Sequence, residues 1–163
     1  MTGADVAAEL TREHREIDGE IEAFIAGLDS GTLRPEPMIA ALAALRRHIY
    51  LEEVFLFPPI REAGMVMPIF VMMREHGQMW ATIDTLGGLL AGDSDPAGPA
   101  DHAALRDTCG QLLAQLQEHN AKEEPIIYPR ADIDLPSHTS AELSRLIEDG
   151  RTPDGWVCEQ AGR

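Results

Sequence analysis

Apolar residues recur at alternating steps of three and four along most of this chain, and that spacing predicts amphipathic helices rather than strands. Four long helices are expected: about residues 5–28, from PEPM at 35–38 into the Pro58-Pro59 pair, from residues 67–68 into GGLLAGD at 87–93, and about residues 101–124. Pro125 should bend or end the fourth helix, because proline lacks a backbone N–H and clashes with the preceding turn.

The segments outside these helices are short. The stretch GDSDPAGP, residues 92–99, is typical of a loop. Thr139 and Glu142 have the spacing of a capping box just before LSRLIEDG, which predicts a short fifth helix there. The last residues, RTPDGWVCEQAGR, have no periodicity. We therefore expect a helical domain over residues 1–133, followed over 134–163 by a short helix and a tail.

Along each predicted long helix, the residues spaced three and four apart form one stripe, here called a seam. Every seam contains a histidine, and two seams also contain a glutamate. In chain order these residues are His14, His48 with Glu52, His76, and His119 with Glu123. The second and fourth seams are expected to continue inward through Phe55 and Ile126. Such seams face the interior of a helical bundle. The chain is therefore predicted to be all-α, an antiparallel up-down-up-down four-helix bundle with six polar side chains in its core.

A repeat relates the two halves of the chain. HIYLEEVFLFP at residues 48–58 and HNAKEEPIIYP at 119–129 share a His, a Glu pair, an aromatic residue and a proline at matching positions. Arg-Glu-His also occurs twice, at residues 12–14 and 74–76. A His helix is therefore followed by a His-Glu helix, and then the pair recurs. This order predicts two helical hairpins with a pseudo-two-fold arrangement of polar groups.

The spacing within these motifs puts the polar groups on one helix face. A residue at i+4 lies nearly above residue i, so His48 shares a face with Glu52, and His119 with Glu123. The glutamates that directly follow Glu52 and Glu123 point away from that face, towards solvent or behind the histidines. Four imidazoles and two carboxylates buried together require compensation, which bound metal ions supply.

The donor types restrict the choice of metal. Imidazole and carboxylate ligands without thiolate suit iron, with manganese and zinc also open. If Glu52 and Glu123 each bridge two ions, each ion receives two histidine nitrogens and two carboxylate oxygens. Six-coordination then leaves one place per ion for a shared oxo or hydroxo bridge, and one open place for O2, peroxide or NO.

The charge of the chain disfavours several classes of partner. Its formal net charge is -15, from 28 acidic and 13 basic residues. Nucleic acids and anionic membrane surfaces attract basic faces, so neither is an expected partner. No apolar run is long enough to span a bilayer, and the first ten residues do not have the pattern of a signal peptide. Two cysteines do not make a disulfide framework, and a cytoplasmic protein is expected.

These residues resemble the hemerythrin-like, or HHE cation-binding, family over about residues 5–130. The resemblance implies a four-helix bundle around a non-haem di-iron centre. It also implies two roles for the six residues: iron ligation by His14, His48, His76 and His119, and bridging by Glu52 and Glu123. Oxygen-carrying members have a further histidine on the third helix, but Met72 and Trp80 occupy the positions four residues from His76. This departure favours peroxide or NO chemistry, or sensing, over reversible oxygen carriage.

The expected function is binding of, or reaction with, a small oxidant, and catalase- or peroxidase-like activity is one open form of it. A second hypothesis is an iron or oxygen sensor without turnover. A ferritin-like oxidase is disfavoured, because those bundles use Glu-x2-His motifs and no glutamate lies three residues before any seam histidine. Trp80 and Tyr128 are expected to line the pocket.

Overall fold

The computed structural model describes residues 2–91 and 99–163, and every regular element within them is helical. These residues form five continuous helical stretches: α1 (Gly3–Asp29); α2 (Pro35–Leu51) with π1 (Glu52–Leu56) and α3 (Phe57–Glu62); α4 (Val66–Ala91); α5 (Pro99–Lys122) with π2 (Glu123–Ile127) and α6 (Tyr128–Asp134); and α7 (Ser137–Asp149). The all-α prediction is confirmed. Of the predicted loop, residues 92–98 lie outside the described part of the chain, and Pro99 begins α5. No helix in the described ranges combines the length and apolarity needed to cross a membrane.

Capping explains where α1 begins, but the predicted cap of the last helix is wrong. The Thr2 side chain accepts a hydrogen bond from the Asp5 backbone N–H, and the Asp5 carboxylate accepts one from the Thr2 N–H. The last helix, α7, begins two residues before Thr139, at Ser137. Its N-cap is Pro136, whose extended conformation suits a proline and which has no side-chain hydrogen bond to offer.

Prolines do not end the second and fourth stretches. Each α-helix passes instead into one π turn, in which the N–H of Phe57 bonds to the carbonyl of Glu52, and that of Tyr128 to Glu123. The helices then continue, with a proline in the first turn of α3 and of α6, where proline is tolerated. The extra residue in each turn shifts the inward seam by one. The prediction for Ile126 is therefore wrong: it is 47% exposed, and the next residue is buried instead.

The four long stretches contact one another in a ring, since α1 and α4 each contact both α2 and α5. In addition, α7 packs against α1 and α2. Two apolar clusters form the core, and along each long stretch the buried histidines and glutamates lie where one cluster gives way to the other. We name the clusters after Leu10 and Ile21. The chain passes from the Leu10 cluster to the Ile21 cluster along α1 and α4, and in the opposite order along α2–π1 and α5–π2.

The C-terminal tail lies against α4. Trp156 packs edge-on against Trp80, with ring centroids 5.6 Å apart. Gly77 allows the backbones to approach closely, because a Cβ at this position would lie only 2.5 Å from the carbonyl oxygen of Gln160. The tail is therefore packed on the face of α4 that adjoins His76.

Candidate metal centre

The six side chains predicted as metal ligands meet inside the molecule. Each long stretch contributes one histidine, and each π turn begins with one of the glutamates. They form two groups that share both glutamates: His14, His48, Glu52 and Glu123 in the first, which we name the His14 group, and Glu52, His76, His119 and Glu123 in the second, the His76 group. The ligand atoms of each group all lie within 4.8 Å of one another, and none of the six residues is more than 4% exposed.

The two glutamates stand between the groups. One carboxylate oxygen of Glu52 lies 3.3 Å from His48 Nε2, and the other lies 3.2 Å from His76 Nε2. Glu123 repeats this arrangement, with its oxygens 3.2 and 3.3 Å from the Nε2 atoms of the histidines on α1 and α5. Each carboxylate therefore offers one oxygen to each group, as a bridging ligand would.

A further glutamate bonds to each imidazole on the side away from the centre, behind the histidine. The Nδ1–H donates in all four cases to a carboxylate on a neighbouring stretch: His14 to Glu124 at 2.9 Å, His48 to Glu13 at 2.9 Å, His76 to Glu53 at 2.7 Å, and His119 to Glu75 at 2.9 Å. When the imidazoles are neutral, as metal ligands are, a proton held on Nδ1 leaves each Nε2 lone pair directed at the centre. The four imidazoles therefore have the orientation and tautomer of metal ligands.

The sequence leaves Glu53 and Glu124 either in solvent or behind the histidines, and it does not assign Glu13 and Glu75. Glu13 and Glu75 belong to the repeated Arg-Glu-His triplet, whose recurrence was the available signal. Glu53 and Glu124 lie off the inward face of their own helices, as the spacing predicts, but each reaches a histidine on the next stretch. All four contacts join different helices, so the periodicity of one helix does not reveal them.

Two of these glutamates also bind a cation. Arg47 Nη2 donates to Glu13 at 2.8 Å, and Lys122 pairs with Glu75. The carboxylates behind the histidines on α2 and α5 are therefore held in turn by charged hydrogen bonds. This second layer limits how far either imidazole can rotate.

The C-terminal tail reaches the centre through Glu53. One oxygen of this carboxylate accepts the Nδ1–H of His76, and the other accepts the backbone N–H of Glu159 at 3.0 Å. A single side chain thus joins the position of the tail to the orientation of one candidate ligand.

Burial and ion pairing have opposite effects on the pKa values here. Burial alone would raise the pKa of Glu123, but the positive charge of His119 and the close approach of the His119 and His14 imidazoles to its oxygens hold that pKa well below its usual value. Burial alone would lower the pKa of His119, yet Glu123 and Glu75 raise it to about 10. Without a metal, ionised glutamates and protonated histidines stabilise one another.

Several buried atoms of the centre remain unsatisfied by protein groups. Both oxygens of Glu123, one oxygen of Glu52 and Nε2 of His119 have no well-formed hydrogen bond from any residue in the described ranges. Such atoms cost free energy in a dry core, and cations would use all of them. Nitrogen and carboxylate donors without thiolate fit iron, manganese or zinc better than calcium or magnesium. The residues present therefore fit a metal centre.

Tyr128 also reaches the centre. Its phenol O–H donates to Glu52 at 2.7 Å, and its oxygen lies 2.9 Å from His14 Nε2 and 3.2 Å from His48 Nε2. Burial, with the charges of Glu123 and Glu52, raises the pKa of Tyr128 well above its usual value. The prediction that Tyr128 lines the pocket understated its position. A separation of five residues places two side chains about 140° apart on an α-helix, and the π turn reduces that angle.

The positions one turn from His76 on α4 are apolar. Met72 and Trp80 are both buried, and neither has an imidazole or carboxylate to add to the two groups. Trp80 packs within the Ile21 cluster. Within the described residues, a fifth histidine ligand on this helix is therefore absent, as the sequence indicates.

Comparison with known proteins agrees with this chemistry. The family profile of the hemerythrin HHE cation-binding domain matches residues 5–131. Among curated proteins, the chain is similar to the iron-sulfur cluster repair protein YtfE of Yersinia pestis and of Yersinia pseudotuberculosis, at 34% identity over 97 residues in each case. The matched stretch is 56% of this chain and 43% of each relative, and so less than half of the relatives' length. No solved structure matches the chain.

Proposed function

This chain belongs to the hemerythrin HHE cation-binding family, and from that premise we propose that it is a non-haem di-iron protein that binds or reduces a small oxidant. One iron would be held by the His14 group and one by the His76 group, with Glu52 and Glu123 bridging them. The four long stretches would form an antiparallel four-helix bundle around the irons. Their ring of contacts, and the alternating order of the two apolar clusters along them, support this arrangement.

The observation that carries the proposal is that two donor groups share both glutamates. The two oxygens of each carboxylate face histidines of different groups, so a single ion would leave half of the oxygens without a partner. Two ions would give every oxygen and every Nε2 atom a partner, and would offset the buried carboxylate charge. The iron-sulfur cluster repair role in the name of the YtfE relatives supports iron over manganese or zinc.

Iron bound at these groups would supply reversible electron transfer and open positions for O2, peroxide or NO. The protein groups have separate tasks. The two apolar clusters exclude bulk water, and the glutamates behind the histidines keep the Nε2 lone pairs directed inward. In the metal-free protein, Tyr128 holds a proton on its phenol oxygen beside Glu52. Catalase- or peroxidase-like turnover is one form that the reaction would take.

Metal content and optical spectra test this proposal. Protein reconstituted anaerobically with Fe(II) should hold about two irons per chain. Glu123→Gln should hold fewer, because the amide keeps one oxygen and cannot bridge two ions. Glu118→Gln, at an exposed position of the same stretch, should retain both. O2 or NO added to the Fe(II) protein, and peroxide or azide added to the Fe(III) protein, should change the near-ultraviolet and visible bands.

The possible results separate the parts of the proposal. Stoichiometry of one iron per chain, or none, would overturn the di-iron centre. Full loading without a spectral response to any of the four ligands would overturn the reactivity and leave the metal centre standing.

The hydrogen bond between the tail and Glu53 favours a second candidate function, an iron or oxygen sensor without turnover. Metal bound to His76 would fix Glu53, and Glu53 would fix the tail at Glu159. Limited proteolysis of metal-free and iron-loaded protein would compare the two candidates. A sensor should protect its tail only when loaded and consume no peroxide, whereas an enzyme should consume peroxide with a tail equally protected in both states.

A further inference from the structure

Tyr128 makes the two donor groups unequal. Its hydroxyl touches three ligand atoms of the His14 group, as described above. The matching position beside the His76 group is held by Phe57, which follows its own glutamate by the same five residues. Phe57 stacks on His76 with ring centroids 5.5 Å apart, and Tyr128 stacks on His14 at 5.3 Å. The repeat therefore keeps the aromatic ring and differs in the hydroxyl group.

The atoms of the His14 group have the spacing of ligands around one metal ion. Two cis ligands in an octahedron with metal–ligand bonds of about 2.1 Å lie about 3.0 Å apart. His14 Nε2 lies 3.0 Å from His48 Nε2 and 3.2 Å from an oxygen of Glu123. His48 Nε2 lies 3.3 Å from an oxygen of Glu52. The phenol oxygen of Tyr128 lies 2.7–3.2 Å from three of these atoms, and so at the spacing of one more ligand.

The packing around Tyr128 holds its oxygen at the centre. The side chain is 2% exposed, and its ring is held by the stack on His14 and by the Leu10 cluster. An ion bound to the His14 group would meet the phenol oxygen directly. Tyr128 must therefore either bind that ion or be pushed out of a packed core.

We infer that Tyr128 is a fifth protein ligand of the metal in the His14 group, an inference that rests on the proposed di-iron function. Ligation breaks the phenol O–H bond, forms a metal–oxygen bond and releases one proton to solvent, as metal binding does for other protonated ligands. The His76 group, with four protein donors, then has more open positions, and the small oxidant binds on that side. The fifth protein donor of the centre thus comes from π2–α6 rather than from α4.

The chain has two tyrosines, Tyr50 and Tyr128, so spectroscopy can assign the ligand. Tyrosine is a known ligand of iron in proteins, and its phenolate bound to Fe(III) gives a visible charge-transfer band with resonance-enhanced ring vibrations. Wild-type Fe(III) protein and Tyr50→Phe should show the same band, because Tyr50 packs against Phe55 and Trp156 rather than against the centre. Tyr128→Phe should lose the band and its ring vibrations completely.

Iron content, measured on the same samples, separates this inference from the proposed function. A band lost only in Tyr128→Phe, with about two irons per chain in wild type, supports both. Fully loaded wild-type protein without phenolate vibrations overturns ligation by Tyr128 and leaves the di-iron proposal intact. Failure to bind iron overturns both. If Tyr128→Phe does not fold, Tyr50→Phe decides the matter alone, because Tyr128 is then the one tyrosine in the chain.

Discussion

At the scale of single residues, each imidazole of the centre depends on one carboxylate that does not itself face the metal position. Glu75 accepts the Nδ1–H of His119 and pairs with Lys122 on its other oxygen. Without that carboxylate the imidazole could rotate and exchange its proton between the two nitrogens. The Nε2 lone pair would then be directed at the metal for a smaller fraction of the time.

Glu75→Gln should therefore weaken metal binding by roughly 10–100-fold, the usual cost of removing a carboxylate behind a histidine ligand. Competition with a chelator of known affinity measures the change, and circular dichroism checks that the helices remain. Glu118→Gln is the matched control, since Glu118 adjoins His119 in sequence but its side chain is exposed. Equal metal affinities in the two variants would show that Glu75 does not orient the imidazole.

At the scale of elements, the π turns decide which side chains reach the centre. They place Phe57 and Tyr128 beside the histidines, and they move the inward seam from Ile126 to Ile127. The sequence predicts the helices well, because their periodicity is a local property. It does not predict the extra residue in each turn, because one inserted position is indistinguishable from the normal scatter of apolar residues.

The contact between the tail and α4 predicts opposite effects for two glycines of one helix. Nothing lies within 4 Å of a Cβ added at Gly88, so Gly88→Ala should stabilise the protein by about 0.5–1 kcal/mol. A Cβ at Gly77 would overlap the backbone of Gln160, so Gly77→Ala should displace the tail and lower the unfolding temperature. Thermal unfolding measures both effects, and proteolysis detects the released tail. A gain in stability for Gly77→Ala would contradict the packing of the tail on this helix.

At the scale of the whole molecule, the four hydrogen bonds between a histidine Nδ1–H and a glutamate on a neighbouring stretch form a closed ring. A glutamate of α1 accepts from the histidine of α2, and one of the α2 stretch accepts from the histidine of α4. In the same way a glutamate of α4 accepts from the histidine of α5, and one of the α5 stretch accepts from the histidine of α1. Each stretch therefore gives one carboxylate and receives one. A shift of any stretch along its axis would strain two of these hydrogen bonds at once.

The same ring predicts how the stability of the metal-free protein depends on pH. The pKa of His119 is raised from 6.5 to about 10, and those of His48 and His76 are also raised, by the glutamates that face them and against the effect of burial. The folded protein then binds more protons than the unfolded chain above pH 6.5. The free energy of unfolding should therefore fall as pH rises from 6.5 towards 10. The lowered pKa values of Glu52 and Glu123 likewise predict a loss of stability below pH 4.5.

Thermal unfolding in the presence of a chelator measures this profile. Iron-loaded protein should lose less stability between pH 6.5 and 9, because histidine ligands are already neutral. The metal-free His119→Gln variant should have a flatter profile, whereas His138→Gln, at an exposed position, should keep the wild-type slope. A metal-free wild-type protein that gains stability over this pH range would contradict the charged network.

The sequence predicts the convergence of the six candidate ligands, because His-x3-Glu fixes two side chains on one helix face and the seams direct that face inward. The sequence does not reveal which glutamate bonds to which histidine, that the phenol of Tyr128 touches three ligand atoms, or that the tail contacts Glu53. Each of these depends on which helices are neighbours and at what height they meet, and a single helix does not encode that information.

The closed ring of carboxylates also bears on how such a chain could arise by gene duplication. The α1–α2 hairpin contains one complete pair, His48 with Glu13, while His14 takes its carboxylate from the other hairpin. The second hairpin likewise contains one complete pair, His119 with Glu75, while His76 takes its carboxylate from the first hairpin. Two copies of a half-length ancestor, associated as a symmetric dimer, would satisfy all four pairs, whereas one copy alone would satisfy only its internal pair. Joining the two genes would then allow the two copies to differ, as Phe57 and Tyr128 do.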